Sequence, residues 1–167
     1  MEKALYSEKE KSITFTGHRI IPLVRQEEVR KQLTAAVAFA CESGMTRFYC
    51  GMALGFDMMA AEVVLSLKDK FPNIRLIAVV PFLGQSNRWA SSEQERYRQI
   101  LAEVDKIVLL SENYFCGCLL RRNDYMLSHS CGVIAYYNGK PQGGTFYTVR
   151  KAERMEMDVV NIYDQRG

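Results

Sequence analysis

Two glycine turns carry residue types suited to holding an anion. The first, Cys50-Gly51-Met52-Ala53-Leu54-Gly55-Phe56-Asp57, follows a β-type tetrapeptide, Arg47 to Cys50, and runs into the apolar-periodic stretch Met58 to Phe71. Such a turn leaves backbone N–H groups pointing outward where no Cβ obstructs an oxyanion. The second, Gly139-Lys140-Pro141-Gln142-Gly143-Gly144-Thr145, lies between another strand and another helix. Together they suggest a nucleotide-type pocket. Gly51 and Gly55 serve either phosphate approach or tight helix–strand packing. Gly143-Gly144-Thr145 either seats an oxyanion, with the threonine hydroxyl as an extra donor, or starts a helix with Thr145 as N-cap.

Counter-charge for such a ligand comes from Arg19 and from either Arg121 or Arg122. A guanidinium offers a rigid fork matched to phosphate oxygens. Neighbours on a helix point about a hundred degrees apart, so one of the latter pair faces a cleft. Asp57 is awkward beside a phosphate. It serves either the helix dipole or ribose hydroxyls. His18 is an acid–base group or a residue that orients backbone, and Asn123 a ligand contact or a local cap. Phe82 and Trp89 make either a stacking wall for a base or ordinary packing, and Gln85 reaches toward a base edge or ribose.

The elements that must position these residues alternate throughout. Strands are expected at 13–16, 46–50, 74–80, 106–110, 133–137 and 158–163. Helices are expected at 26–41, 56–71, 92–104, 119–129 and 145–154. Strands apolar on both faces and separated by helices predict a doubly wound, mostly parallel α/β sheet of Rossmann-like type, covered on both sides. Thr16-Gly17-His18-Arg19, the Gly51–Asp57 turn, the Pro81–Gln85 loop, Ser111–Tyr114 and Asn138–Thr145 all follow strands. Every glycine-rich or polar cluster therefore falls at a strand's carboxyl end, where open parallel sheets bind ligands.

Length and charge bound the remaining choices. With 167 residues, 48% of them hydrophobic, positions 1–167 read as one domain able to bury a core, with 1–11 frayed. The net charge of +3, from 22 basic and 19 acidic residues, is too small and dispersed to demand nucleic acid. The amino-terminal dozen lacks the apolar core of a signal peptide, and no apolar run approaches spanning length, so a cytoplasmic protein without membrane contact is expected. Five cysteines then read as reduced thiols. Cys116-Gly117-Cys118 and His129-Ser130-Cys131 match no common zinc module, so no metal is expected. Partly covered apolar helix faces, such as the one bearing Leu119 and Leu120, suggest a homo-oligomer.

Several strings recur together in one family: Thr16-Gly17-His18-Arg19, Gly51 to Asp57 with Ala60-Ala61-Glu62, and Pro81-Phe82 with Gln85 and Trp89. Arg122-Asn123-Asp124-Tyr125-Met126 and the Tyr137–Lys140 to Gly143–Thr145 segment complete the set. From about Ser12 to Tyr163 the chain resembles the YpsA-like family of bacterial proteins in the SLOG superfamily, whose name joins its Smf/DprA and LOG members. The resemblance implies a Rossmann-like domain binding a nucleotide or nucleotide-derived ligand (ADP-ribose, NAD or a mononucleotide) as a sensor or regulatory module. The residues expected to bind it are Thr16, Gly17, His18, Arg19, Gly51, Met52, Gly55, Asp57, Gln85, Trp89, Arg122, Asn123, Gly143, Gly144 and Thr145. The family pattern favours Arg122 over Arg121.

Two alternatives remain. Phosphoribohydrolase members of the superfamily carry a Pro-Gly-Gly-x-Gly-Thr turn with a glutamate shortly after it. Here Pro141-Gln142-Gly143-Gly144-Thr145-Phe146-Tyr147-Thr148 has no acid there, and Glu153 lies two turns on. Such hydrolysis of an N-glycosidic bond would need a non-standard acid, and no catalytic residue is assigned. The other alternative is a single-stranded DNA binder of the DprA type, using a local patch of Arg121, Arg122 and Lys140.

Overall fold

The chain folds as a six-stranded, wholly parallel sheet in the order β4-β3-β2-β1-β5-β6, described over residues 8–164 of a computed structural model. Strands β1 (Ser12–Gly17), β2 (Arg47–Cys50), β3 (Arg75–Val80) and β4 (Lys106–Leu109) step outward in one direction. Helices α1 (Gln26–Glu42), α2 (Phe56–Leu67) and α3 (Ser91–Glu103) connect them. The chain then returns through α4 (Cys118–Ser128) to β5 (Gly132–Tyr136) on the other side of β1, and α5 (Gly143–Arg154) leads to β6 (Asp158–Asn161). Right-handed crossovers place helices on opposite faces when the direction of winding reverses. The core divides accordingly. Val29, Leu33 and Val37 of α1 and Val64 of α2 cluster with Phe15, Phe48 and Leu76 on one face. On the other, Val149 and Ala152 of α5 cluster with Val133 and Ala135, and Met126 of α4 with Tyr49, Ile77 and Val79. Each fully buried Leu or Phe side chain contributes about 1.5–3 kcal/mol.

The Rossmann-like α/β class expected from the alternation is therefore the class observed. One strand departs from two-sided apolarity. In β1, Ile13 and Phe15 enter the larger core, but Ser12, Thr14 and Thr16 are equally buried on the opposite face. The Thr14 hydroxyl donates to the Met126 carbonyl at 3.0 Å and shares a 2.7 Å bond with the Ser130 hydroxyl. Satisfied in this way, a polar row can lie inside the sheet. It leads up to Thr16 at the carboxyl edge.

Element ends shift where backbone geometry decides them. The run expected to stay helical to Phe71 stops at Leu67, where the Lys68 N–H turns to Leu65 and the Phe71 N–H closes a turn onto Leu67 ahead of Pro72. The last connecting helix starts at Gly143 rather than Thr145. Of the amino-terminal stretch expected to fray, residues 1–7 lie outside the described residues, and 8–10 form a helical turn. No helix among the described residues is long and apolar enough to cross a membrane.

Candidate functional site

Winding reverses between β1 and β5, and a crevice must open where the loops leaving these neighbours diverge. A cleft of about 520 Å³ occupies that place. Its walls come from four strand ends: Thr16 to Arg19 at the end of β1, Ala53 and Asp57 after β2, Tyr114 and Cys116 to Leu120 after β4, and Gln142 to Thr145 after β5. Arg122, Asn123 and Met126 of α4 complete it. Both glycine turns thus contribute to one hollow, though in different ways.

In the first turn the glycines face protein. A Cβ on Gly51 would sit 2.7 Å from the Arg122 guanidinium carbon, and one on Gly55, whose φ is +79°, would sit 2.1 Å from the Arg19 carbonyl oxygen. Gly17 likewise makes room for the Phe56 ring, 2.4 Å from where its Cβ would lie. Gly51, Gly55 and Met52 do not line the cleft, and Met52 is wholly buried with φ +58°. Gly51 is instead the seat of Arg122, whose Nη1 donates to the Gly51 carbonyl and whose Nε donates to Asn123 Oδ1 at 2.8 Å. Gln85 locks the same joint. Its Oε1 accepts from Arg122 Nη1 at 3.3 Å, while its Nε2 donates to the Met52 carbonyl at 3.0 Å.

The second turn is open. Nothing lies within 4 Å of a Cβ built on Gly143, whose φ is +91°, and Gly144 would meet only Asn123 Nδ2, at 3.8 Å. No side chain caps α5. The N–H groups of Gly143, Gly144 and Thr145 therefore point out of the helix without a partner, at the positive end of its dipole. Around them stand further donors with no hydrogen bond to protein among the described residues: Arg122 Nη2, Asn123 Nδ2 and the hydroxyls of Thr16 and Thr145. Arg122 is only 4% exposed, so its remaining donor opens on the cleft or on nothing. Burial works against its charge, and Asp57 supports it. Of the arginine pair, Arg122 faces inward. Arg121 is exposed, its guanidinium 5.7 Å from the Phe115 ring centre.

Asp57 supplies the opposite charge. It is 6% exposed, and one carboxylate oxygen accepts the Ala53 N–H at 3.2 Å. Burial pushes its pKa up to about 6, against the pull of Arg122, the Ala53 N–H and Arg19. No ion pair joins it to either arginine among the described residues. The cleft therefore presents a carboxyl whose ionisation burial opposes and two guanidiniums that make no ion pair with it among the described residues, an arrangement that offers acceptors at one end and cationic donors at the other.

His18 also lines this wall, but its Nε2 accepts the Asn138 N–H at 2.9 Å. That bond requires a neutral ring protonated on Nδ1. Burial lowers its pKa, a contact with the Asn138 side chain opposing. Tyr136, Tyr137 and Tyr163 pack around the imidazole. Its visible work is to hold the start of the loop to the open turn.

Trp89 and Gln85 line a second hollow, beyond Arg19, instead of this one. Trp89 packs edge-on against Tyr97 at 5.2 Å and joins the main core. Leu119 and Leu120, read from sequence as an uncovered helix face, line the first cleft. The two cysteine clusters lie at opposite ends of the sheet: Cys116 and Cys118 at the cleft, Cys131 just before β5. Sequence reasoning left out Tyr114, which lines both hollows. Its only signal was its place after β4.

Comparison with known proteins points one way. Residues 13–164 match the model of the YspA SLOG family. A UPF0398 protein of Halalkalibacterium halodurans is 28% identical over 160 residues, covering 94% of this chain and 82% of its own length. UPF0398 protein YpsA of Bacillus subtilis is 23% identical, with 92% and 91% covered. Another UPF0398 relative, from Brevibacillus brevis, is 30% identical over 66% of this chain, and the match spans 63% of that relative. Among solved structures, DNA processing protein A of Helicobacter pylori, described with a unique single-stranded DNA binding mode, aligns with TM-score 0.63 at 19% identity. That alignment covers 93% of this chain and 66% of the other. The structural-genomics target TM1055 aligns with TM-score 0.54 at 12% identity, over 89% and 72%. At such identities the two structures speak for the fold alone.

Proposed function

The chain belongs to the YspA SLOG family, and on that premise we propose that the cleft between β1 and β5 binds a nucleotide-derived small molecule, as a sensing or regulatory module. The observation that carries this reading is the set of donors left without protein partners around one hollow. They are the three N–H groups at the start of α5, Arg122 Nη2, Asn123 Nδ2 and the Thr145 hydroxyl. A phosphate on the open turn would satisfy them together. Asp57, deeper in the wall, would accept from ribose hydroxyls. Arg19 at the rim adds charge without burial.

A thermal-shift series with AMP, ADP-ribose and NAD tests this. A ligand at about a hundred times its dissociation constant adds roughly 2.7 kcal/mol, or about 5–11 °C in a domain of this size. Arg122→Met and Thr145→Val should each shrink the shift. No shift with any of the three, alongside salt-sensitive gel-shift binding of an oligo-dT strand, would move the reading to the DNA-binding alternative.

A second reading is favoured by Asp57 itself. Hydrolysis of an N-glycosidic bond needs a carboxylate that the segment after Thr145 does not supply, and Asp57 is a buried carboxyl in the same cleft. In that reading a water oxygen bonds to the ribose C1′ as the C1′–N bond breaks. Asp57 takes the water's proton, and the base leaves with the electron pair and is protonated. Release of adenine and ribose 5-phosphate from AMP, abolished in Asp57→Asn, would establish it. AMP bound but recovered intact would leave the binding module.

A further inference from the structure

A second hollow of about 1120 Å³ opens over the carboxyl ends of β2, β3 and β4. It is lined by Leu54 from the first glycine turn, by the loop from Phe82 to Trp89, and by Glu112, Asn113 and Tyr114. Arg19 and Tyr114 belong to both hollows, so the two are neighbours across a shared ridge. We propose that a single two-lobed ligand, a dinucleotide of the nucleoside-diphosphate-nucleoside class, crosses this ridge, with one phosphorylated nucleoside over α5 and a second base in the outer hollow. This rests on the nucleotide reading of the inner cleft and narrows its ligand class.

Three observations carry it. The first is the chemistry of the outer wall. Phe82 and Tyr114 stand edge to face with centroids 5.3 Å apart, a pair that presents one aromatic face to whatever lies beside it. Tyr114 is 66% exposed, so most of its aromatic surface is open to solvent. The second is charge. Arg19 on the ridge and Arg88 beyond it are exposed guanidiniums without an ion pair among the described residues, and Glu112 is the outer hollow's one acid. A linking diphosphate crossing at Arg19 places its charge there. The third is the division of labour between the two hollows. Gln85, on the outer wall, is committed to Arg122 and the Met52 carbonyl. Phe82 belongs to the outer hollow alone, and Tyr114 continues its aromatic surface across the ridge from the inner cleft. A mononucleotide seated on α5 would fill the first hollow and leave this wall uncovered.

Isothermal titration of the full chain with AMP, ADP-ribose, NAD and an oligo-dT strand tests the claim. Phe82→Ala and Arg88→Glu alter the outer hollow alone, and circular dichroism with unfolding curves confirms that both variants fold. NAD should bind at least tenfold more tightly than AMP. Phe82→Ala should weaken NAD about 5- to 100-fold, the range expected for losing a base–aromatic stack, and Arg88→Glu should weaken it by reversing a charge beside the outer base, while both leave AMP within twofold. ADP-ribose, which lacks the second base, should fall between the two and lose little in Phe82→Ala. AMP and NAD binding equally, with neither variant distinguishing them, would overturn the second lobe and leave the inner-cleft reading intact. No nucleotide binding at all, or oligo-dT binding that alone depends on Phe82, would overturn both.

Discussion

Replacing Asp57 by asparagine should stabilise the ligand-free protein, and only above mildly acidic pH. The folded carboxyl titrates at about 6 against an ordinary value of 3.8, so ionising it inside the fold is disfavoured. A group whose folded pKa lies above its unfolded value contributes stability below the unfolded pKa and loses it as pH rises through the folded one. The gap is roughly two pH units, worth about 3 kcal/mol at 1.36 kcal/mol per unit. This figure already includes the attraction of Arg122 and Arg19. Asparagine keeps an oxygen to accept the Ala53 N–H and carries no charge, so it mimics the protonated acid at every pH. At pH 8 the variant should melt roughly 6–12 °C above the natural protein, and at pH 4 the two should coincide. Differential scanning calorimetry at four or five pH values reads this directly. A variant no more stable at pH 8, or an equal gain at pH 4, would refute the view that Asp57 is a charge held at a cost in stability. The same variant should bind ribose-containing ligands less well, since asparagine offers one acceptor where the carboxylate offers two.

Four further outcomes follow from the joints around the cleft. Gly51→Ala should cost about 1–3 kcal/mol in urea unfolding and weaken phosphate binding, because its methyl displaces the Arg122 guanidinium. Gly143→Ala meets no atom but must hold φ +91°, so it should cost about 1–2 kcal/mol, whereas Gly55→Ala adds a clash with backbone and should sharply reduce soluble yield. Protonating His18 removes the lone pair that holds the Asn138 N–H. Its depressed pKa means this bond contributes stability above about 6.5, lost as pH falls through the folded value; hydrogen-exchange protection at Asn138 should fade over the same range.

The alternation of strands and helices was legible because hydrophobic periodicity is local, and the carboxyl-edge clustering of Thr16–Arg19, Gly51–Asp57 and Asn138–Thr145 followed from it. That one of Arg121 and Arg122 turns outward was legible from the hundred-degree step on a helix, but which one was not, and only the family pattern favoured Arg122. What a glycine is for was not legible. Gly51 and Gly143 look alike in sequence, yet one is flanked by a guanidinium arriving from α4 and the other by open space. Likewise the committed hydrogen bonds of Gln85, and the polar row of β1 beneath α4, depend on partners distant in the chain.

The placement of β1 bears on the order in which the molecule can assemble. Its Ile13 aligns with Phe48 on one flank and with Gly132 on the other, so one flank closes a short loop and the other must wait for most of the polypeptide. Long loops close at a greater entropic cost and slow the search for native pairings. During synthesis the first four strands can meet while the far flank of β1 lies bare. The hollow that would receive a ligand cannot exist until β5 docks there, which makes it a late reporter of complete folding.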